Sequence, residues 1–204
     1  MTTSESQAES IPKGCGEVTC RDEKKIKKIT APLDSAKIKG LRAGDFIYLS
    51  GTIYGARDMA HKKIAALISS GRRLPFDLTC AVMFYVGPSP TPPGKNSGSI
   101  GPTTSARMDS LTEPLLKKGL GAMIGKGRRA ESIKEMCTKY RAVYFISIGG
   151  ISALLASKVK RIKPIAFHDL GAEAVFEMEV MDFPLFVAYD IYGGDIFEDA
   201  LRVE

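Results

Sequence analysis

Tryptophan is absent, and most of the phenylalanine and tyrosine residues lie inside apolar runs. A binder of single-stranded nucleic acid interleaves aromatics with basic groups so that bases can stack, and that arrangement is missing here. The formal net charge is nevertheless +6. Its basic residues are spread out, in short clusters such as "DEKKIKK" and "KVKRIK", with no long basic arm. A positive balance of this kind also suits anionic small molecules. No apolar run approaches the ~20 residues that a membrane-spanning helix needs. The opening "MTTSESQAESIPKG" lacks the charged start and apolar stretch of a secretory signal, so a cytoplasmic protein is expected. The four cysteines, at 15, 20, 80 and 137, are too few and too irregular for a secreted disulfide framework. Cys15 and Cys20 form a lone C-x4-C without the further ligands that zinc or an iron–sulfur centre requires. Cys80, in "LTCAVMFYV", reads as a small buried hydrophobe. No metal site is expected in this chain.

What is present is ordinary globular composition, 44% hydrophobic and 25% charged over 204 residues, enough for one domain with a proper core. Residues 1–24 are polar and without apolar period, which predicts a tail, followed by a single domain over 25–204. Within it, apolar runs alternate with helical periodicity. "KKIKKITAPL" and Phe46 to Ser50 read as strands, and "RDMAHKKIAALISSG" as a helix that stops at Gly71. "CAVMFYVG" is a buried strand, followed by a Pro/Gly-rich loop and a helix from about Thr104 to Lys118. "GAMIGKG" and "AVYFISIGG" are further buried strands, separated by the helix "RRAESIKEMCTKY" and followed by "ISALLASKVK". Continuous apolar strands between helices indicate an α/β fold with a parallel sheet. From "IKPIAFHDLG" to "PLFVAYD" the pattern changes to several strands without a long helix, which predicts an additional β layer.

Ligands of open α/β sheets bind beyond the carboxyl ends of the strands, and cations recur there. Arg57 follows the strand at 46–50. Thr103, Thr104 and Arg107 follow the strand "CAVMFYVG" and its loop, in "GSIGPTTSARMDS". Lys126, then Arg128 and Arg129, follow "AMIG". Arginine forks match carboxylates, lysine adds a compact charge, and glycine lets backbone N–H groups approach a ligand. Together these suit a small polyanion, a di- or tricarboxylate or a phosphate ester. Each residue also has a plain structural use. Thr103 or Thr104 can cap the helix. Arg57 and Arg107 can be first-turn residues paired with Asp58 or Asp109, since a bare cation there opposes the helix dipole. "GKG" does not complete a P-loop, because no Ser or Thr follows Lys126. His61 suits either a substrate contact or acid/base role, or a hydrogen bond to a helix neighbour. His168 reads as structural.

The stretches "LSGTIYGARDMAHKK", "GPSPTPPGKNSGSIGPTTSARMDS", "MIGKG" and "DFPLFVAYDIYGGDIF" resemble the β part of class I, iron–sulfur-dependent fumarate hydratases and the related L-tartrate dehydratases, from about residue 25 onward. The resemblance implies a swivelling β/β/α domain and a hydro-lyase. It further implies a [4Fe–4S] cluster held by a partner α subunit, not by this chain, acting as Lewis acid on the substrate hydroxyl and a carboxylate. By the same resemblance Thr103 matches the catalytic base, Arg57 and Arg107 the substrate-carboxylate arginines, and Lys126 a substrate-contacting lysine, with His61 carried over as a further substrate contact. The expected protein is thus the β subunit of a higher hetero-oligomer, inactive without its α subunit, acting on malate and fumarate or, alternatively, on tartrate. The competing classes are a non-catalytic anion-binding module and a nucleic-acid-binding domain.

Overall fold

Side chains alternate between two cores along the central strands. In the computed structural model, which describes residues 26–147, 150 and 152–201, Val82, Phe84 and Val86 join one apolar cluster while Met83 and Tyr85 join another. Ala122 and Ile124 oppose Met123 in the same way, and Val143 and Phe145 oppose Tyr144. A strand with period-two side chains and apolar residues on both faces is buried on both. The expected tail over 1–24, with Cys15 and Cys20, lies outside the described residues.

The chain runs β1 (Lys27–Thr30), α1 (Ser35–Lys39), β2 (Phe46–Gly55), α2 (Asp58–Ser69), β3 (Val82–Phe84), α3 (Asp109–Lys117), β4 (Ala122–Gly125), α4 (Glu131–Tyr140), β5 (Val143–Ile146), α5 (Ser152–Ser157), β6 (Val159–Ala166), β7 (Val175–Tyr189) and α6 (Ile196–Leu201). A 3-10 turn, Ser105–Met108, leads into α3, and a second, His168–Glu173, precedes β7. Strands β1 to β5 are parallel neighbours in chain order. α2, α3 and α4 cover one face through Ile64, Leu115, Leu116, Ile133 and Cys137. The fold is mixed α/β, as the alternation of apolar runs and helical periods indicates.

The late strands depart from expectation. They form no separate β layer but enter the same seven-stranded sheet. β7 is antiparallel to β2 along Phe46–Leu49 and Gly51–Gly55, to β5 at Tyr144–Ile146, and to β6. Pairing with both β2 and β5 closes β2, β3, β4, β5 and β7 into a small barrel. The physical reason is length: β7 spans 15 residues, enough to serve different neighbours along its course. Asp182, at φ 48, breaks its register opposite Ser50, whose hydroxyl accepts the Asp182 N–H at 3.0 Å. That break makes one bent strand read as several. Among the described residues no helix is long and apolar enough to cross a membrane.

Candidate active site

The adjacent strands β2, β3 and β4 discharge the chain at one end of the sheet, and all the candidate residues stand there. Arg57 is the last residue before α2, in extended conformation and with no capping bond from its side chain. Its Nε lies 3.3 Å from Asp58 Oδ2 and its Nη2 3.6 Å from Glu173 Oε1. The side chain crosses the exit of β3: a Cβ added at Gly87 would come within 2.8 Å of Arg57 Cδ. Any larger residue there would displace the Arg57 side chain. Arg107, in the 3-10 turn, reaches back to the same acid, with Nη2 2.8 Å from Asp58 Oδ1. Two arginines from successive βα junctions therefore meet on one carboxylate.

Thr103 and Lys126 are joined to this pair by backbone. The Thr103 N–H donates to the Tyr85 carbonyl at 2.7 Å, and Thr104 forms a parallel bridge with Lys126. Thr104 occupies the position before the 3-10 turn without a side-chain capping bond, so helix capping does not account for it. Ser105, the residue sequence reasoning passed over, pins the two segments. Its N–H donates to the Lys126 carbonyl at 3.2 Å. Its Oγ accepts the Lys126 N–H at 2.9 Å and the Tyr144 hydroxyl at 2.9 Å. A Cβ at Gly125 would overlap that Oγ. The signal for Ser105 was a small residue between "TT" and Arg107 facing a glycine before Lys126. Lys126 is exposed and takes part in no ion pair among the described residues, while Arg107 is 52% exposed. A recess of about 500 Å³ lies between residues 92–99 and α5, lined by Lys95, Asn96 and Ser97 among others. None of the four candidate residues lines it. Their end of the sheet is an open surface on which Asp58 and Glu173 face the two arginines and Lys126 stands exposed.

Beneath that surface lies a buried polar network. Arg129 is 3% exposed. Its Nε donates to Asp109 Oδ1 at 2.7 Å, Nη2 to Thr112 Oγ1 at 2.7 Å and Nη1 to the Tyr85 hydroxyl at 3.0 Å. Asp109, weighed as a partner for Arg107, thus serves Arg129 instead. Although burial opposes charge on the guanidinium, Tyr85 and Asp109 hold its pKa above the ordinary value. His61 is fully buried one turn into α2, packed edge-on against Tyr85 at 5.2 Å. Its Nδ1 lies 3.1 Å from the Arg57 carbonyl. That contact needs the hydrogen on Nδ1 and leaves Nε2 as an acceptor, which has no partner in its buried setting. Burial pushes the imidazole down to about 4. Asp58 is held below its ordinary range: partial burial raises it, but its own backbone N–H, Arg57 and Arg107 together outweigh that.

The donor set among the described residues does not suit an iron–sulfur cluster. Among the described residues the one group with metal-ligand spacing is Glu131, Asp195 and Glu198, all carboxylates. Lys134 bridges two of them, at 2.8 and 3.0 Å. Cys137 is buried, and burial pushes its thiol up to about 12. Cys80 and Cys137 are free and belong to no such group, whereas clusters are held by gathered thiolates.

The sequence model of the family described as "Fumarase C-terminus" matches residues 2–200. The chain is 42% identical over 157 residues to "Fumarate hydratase class I, anaerobic" of Escherichia coli strain K12, covering 76% of this chain and 28% of that protein. It is 42% identical over 173 residues to "Putative L(+)-tartrate dehydratase subunit beta" of Methanocaldococcus jannaschii, covering 82% of this chain and 89% of the relative. With "L(+)-tartrate dehydratase subunit beta" of E. coli K12 it shares 33% identity over 180 residues, covering 85% and 88%. The match thus spans less than a third of the fumarate hydratase and most of each β subunit.

Proposed function

The chain belongs to the Fumarase C-terminus family, and on that premise we propose that it is the β subunit of a heteromeric hydro-lyase acting on a small dicarboxylate, with fumarate and L-malate as the first reading. The observation that carries the proposal is the meeting of Arg57 and Arg107 on Asp58 beside the paired Thr104–Lys126 backbone. Arginine forks bind carboxylates with two parallel N–H···O contacts, and both guanidiniums keep donors to spare beyond those that face Asp58 and Glu173. Removing a proton from the carbon beside a carboxylate builds charge on that carboxylate. Cations already fixed there favour the transition state over the ground state. Arg57 and Arg107 hold the substrate carboxylate, Lys126 adds charge at its edge, and the Thr103 hydroxyl takes the proton. His61 contacts no substrate in this reading; it steadies Arg57 through the Arg57 carbonyl.

A threonine hydroxyl is a weak base in water, and it needs a dry, strongly positive setting to act as one. The open rim supplies charge but not dryness, and closure by the α subunit supplies the rest. The [4Fe–4S] cluster is assigned in this reading to that partner, which the poor fit of this chain's described donors supports. We read the domain as a swivelling β/β/α unit working in the cytoplasm. A second reading, L(+)-tartrate dehydratase, is favoured by the two β subunits matched over 89% and 88% of their lengths.

The test is anaerobic co-expression with the α partner, followed by turnover of malate, fumarate and both tartrate enantiomers. Activity on one of these by the complex, and none by this chain alone, is the expected result. A complex with an intact cluster that turns over none of the four refutes the proposal. Thr103→Val in the active complex is expected to abolish proton removal while leaving substrate affinity near normal, read as a fall in kcat at constant KM.

A further inference from the structure

We propose that Asp58 is a positioning residue for substrate recognition, a single carboxylate that sets the spacing and orientation of the two arginines that clamp the substrate. The inference rests on the reading of Arg57 and Arg107 given above and goes beyond it by assigning what aligns them. Each arginine is long and loses considerable rotamer freedom on being fixed. Arg57 comes from the end of β2 and Arg107 from the loop after β3, and nothing in the backbone alone forces their guanidiniums together. Asp58 does so: Oδ2 faces Arg57 Nε at 3.3 Å and Oδ1 faces Arg107 Nη2 at 2.8 Å. One Asp58 oxygen serves each arginine, and although Arg57 also faces Glu173 through Nη2, each guanidinium retains further donors for a ligand.

The anchor is itself well held. Asp58 is the first residue of α2, where the helix dipole favours an acid, and its side chain is 19% exposed. Glu173 braces the arrangement from the turn before β7. Its Oε2 accepts the Met59 N–H at 2.9 Å, and its Oε1 faces Arg57 Nη2 at 3.6 Å. Because the neighbouring guanidiniums and its own backbone N–H keep Asp58 ionised well into acid, the spacing persists across the neutral range.

The experiment uses the αβ complex with Asp58→Asn, Arg107→Lys and the double variant, each assayed for kcat and KM on the substrate the wild type turns over. Asparagine keeps one acceptor but loses the charge that holds two guanidiniums. Asp58→Asn is expected to raise KM by about tenfold with a much smaller change in kcat. Since Asp58 acts through both arginines and Arg107→Lys already removes one of them, the double variant is expected to show a KM below the product of the two single effects. An unchanged KM in Asp58→Asn, or fully multiplicative effects in the double variant, overturns the inference while the enzymatic reading stands. A wild-type complex inactive on all four substrates overturns both. If Asp58→Asn does not assemble, Asp58→Glu, which keeps the charge and displaces the oxygens by one methylene, is expected to show the same rise in KM, and a normal KM there counts against the proposal.

Discussion

Two buried side chains determine how the site end of the sheet responds to its surroundings. His61 has an ordinary value of 6.5 and is depressed to about 4 by burial. The unfolded chain therefore binds a proton at this residue that the folded chain refuses. His61 contributes stability that is fully present above pH 6.5 and is lost as the pH falls from there to about 4. The loss amounts to about 3 kcal/mol. A His61→Leu variant is expected to lack this slope, seen as melting temperatures that diverge less from neutral pH across that window than those of the wild type. Arg129 behaves differently, since it is charged and satisfied. Arg129→Met leaves Asp109 without its counter-ion and Thr112 and Tyr85 without a shared partner, at a cost of about 3 kcal/mol, measurable by denaturant unfolding. Neither role was legible in the sequence. "GKGRR" presents three cations in five residues, and nothing local separates exposed Lys126 from buried Arg129. What separates them is the Asp109 that opens α3 and the Tyr85 that follows β3, both brought underneath by the fold.

Among the elements, the βα junctions were the most legible part. Their strands are buried on both faces and so read as unbroken apolar runs, and the strand ends and the loops after them carry glycine where backbone and side chain pass closely. Gly125 shows how strict this is. Its hydrogen faces the Ser105 hydroxyl, and there is no room for a methyl group. Gly125→Ala is expected to push the 3-10 turn away from Lys126 and to raise KM in the assembled enzyme. Adding Ser105→Ala removes the first obstruction and is expected to restore part of the loss, although Tyr85 Cδ2 would remain 2.9 Å from the new methyl. No rescue at all would show that the hydroxyl is not the obstacle. The late strands were less legible. β7 alternates and turns polar around Glu177, Glu179 and Asp182, so local pattern breaks it into pieces, and only pairing with β2, β5 and β6 identifies it as one strand.

For the molecule as a whole, closure of the barrel ties distant segments into one cooperative body. Leu185 on β7 is fully buried and pairs with Ile47 on β2. Leu185→Ala is expected to cost about 2–5 kcal/mol. Probes placed near β2 and near β5 should report the same unfolding midpoint, because the strand serves both. Separate midpoints would mean that the ring opens in stages. The open rim of Arg107 and Lys126 belongs to this scale too, since charges on an uncovered surface work in high dielectric and act more strongly only when a second body shields them.

The ring also dictates an order of events as the protein is made. Until residues 175–189 leave the ribosome, β2 and β5 each present a raw, unpaired flank, the kind of edge that recruits stray strands. Joining Phe46 to Phe186 requires every strand between them to be on hand, and such distant pairings form slowly. The nascent chain therefore carries its hoop unfastened until β7 emerges, and β7 is the clasp.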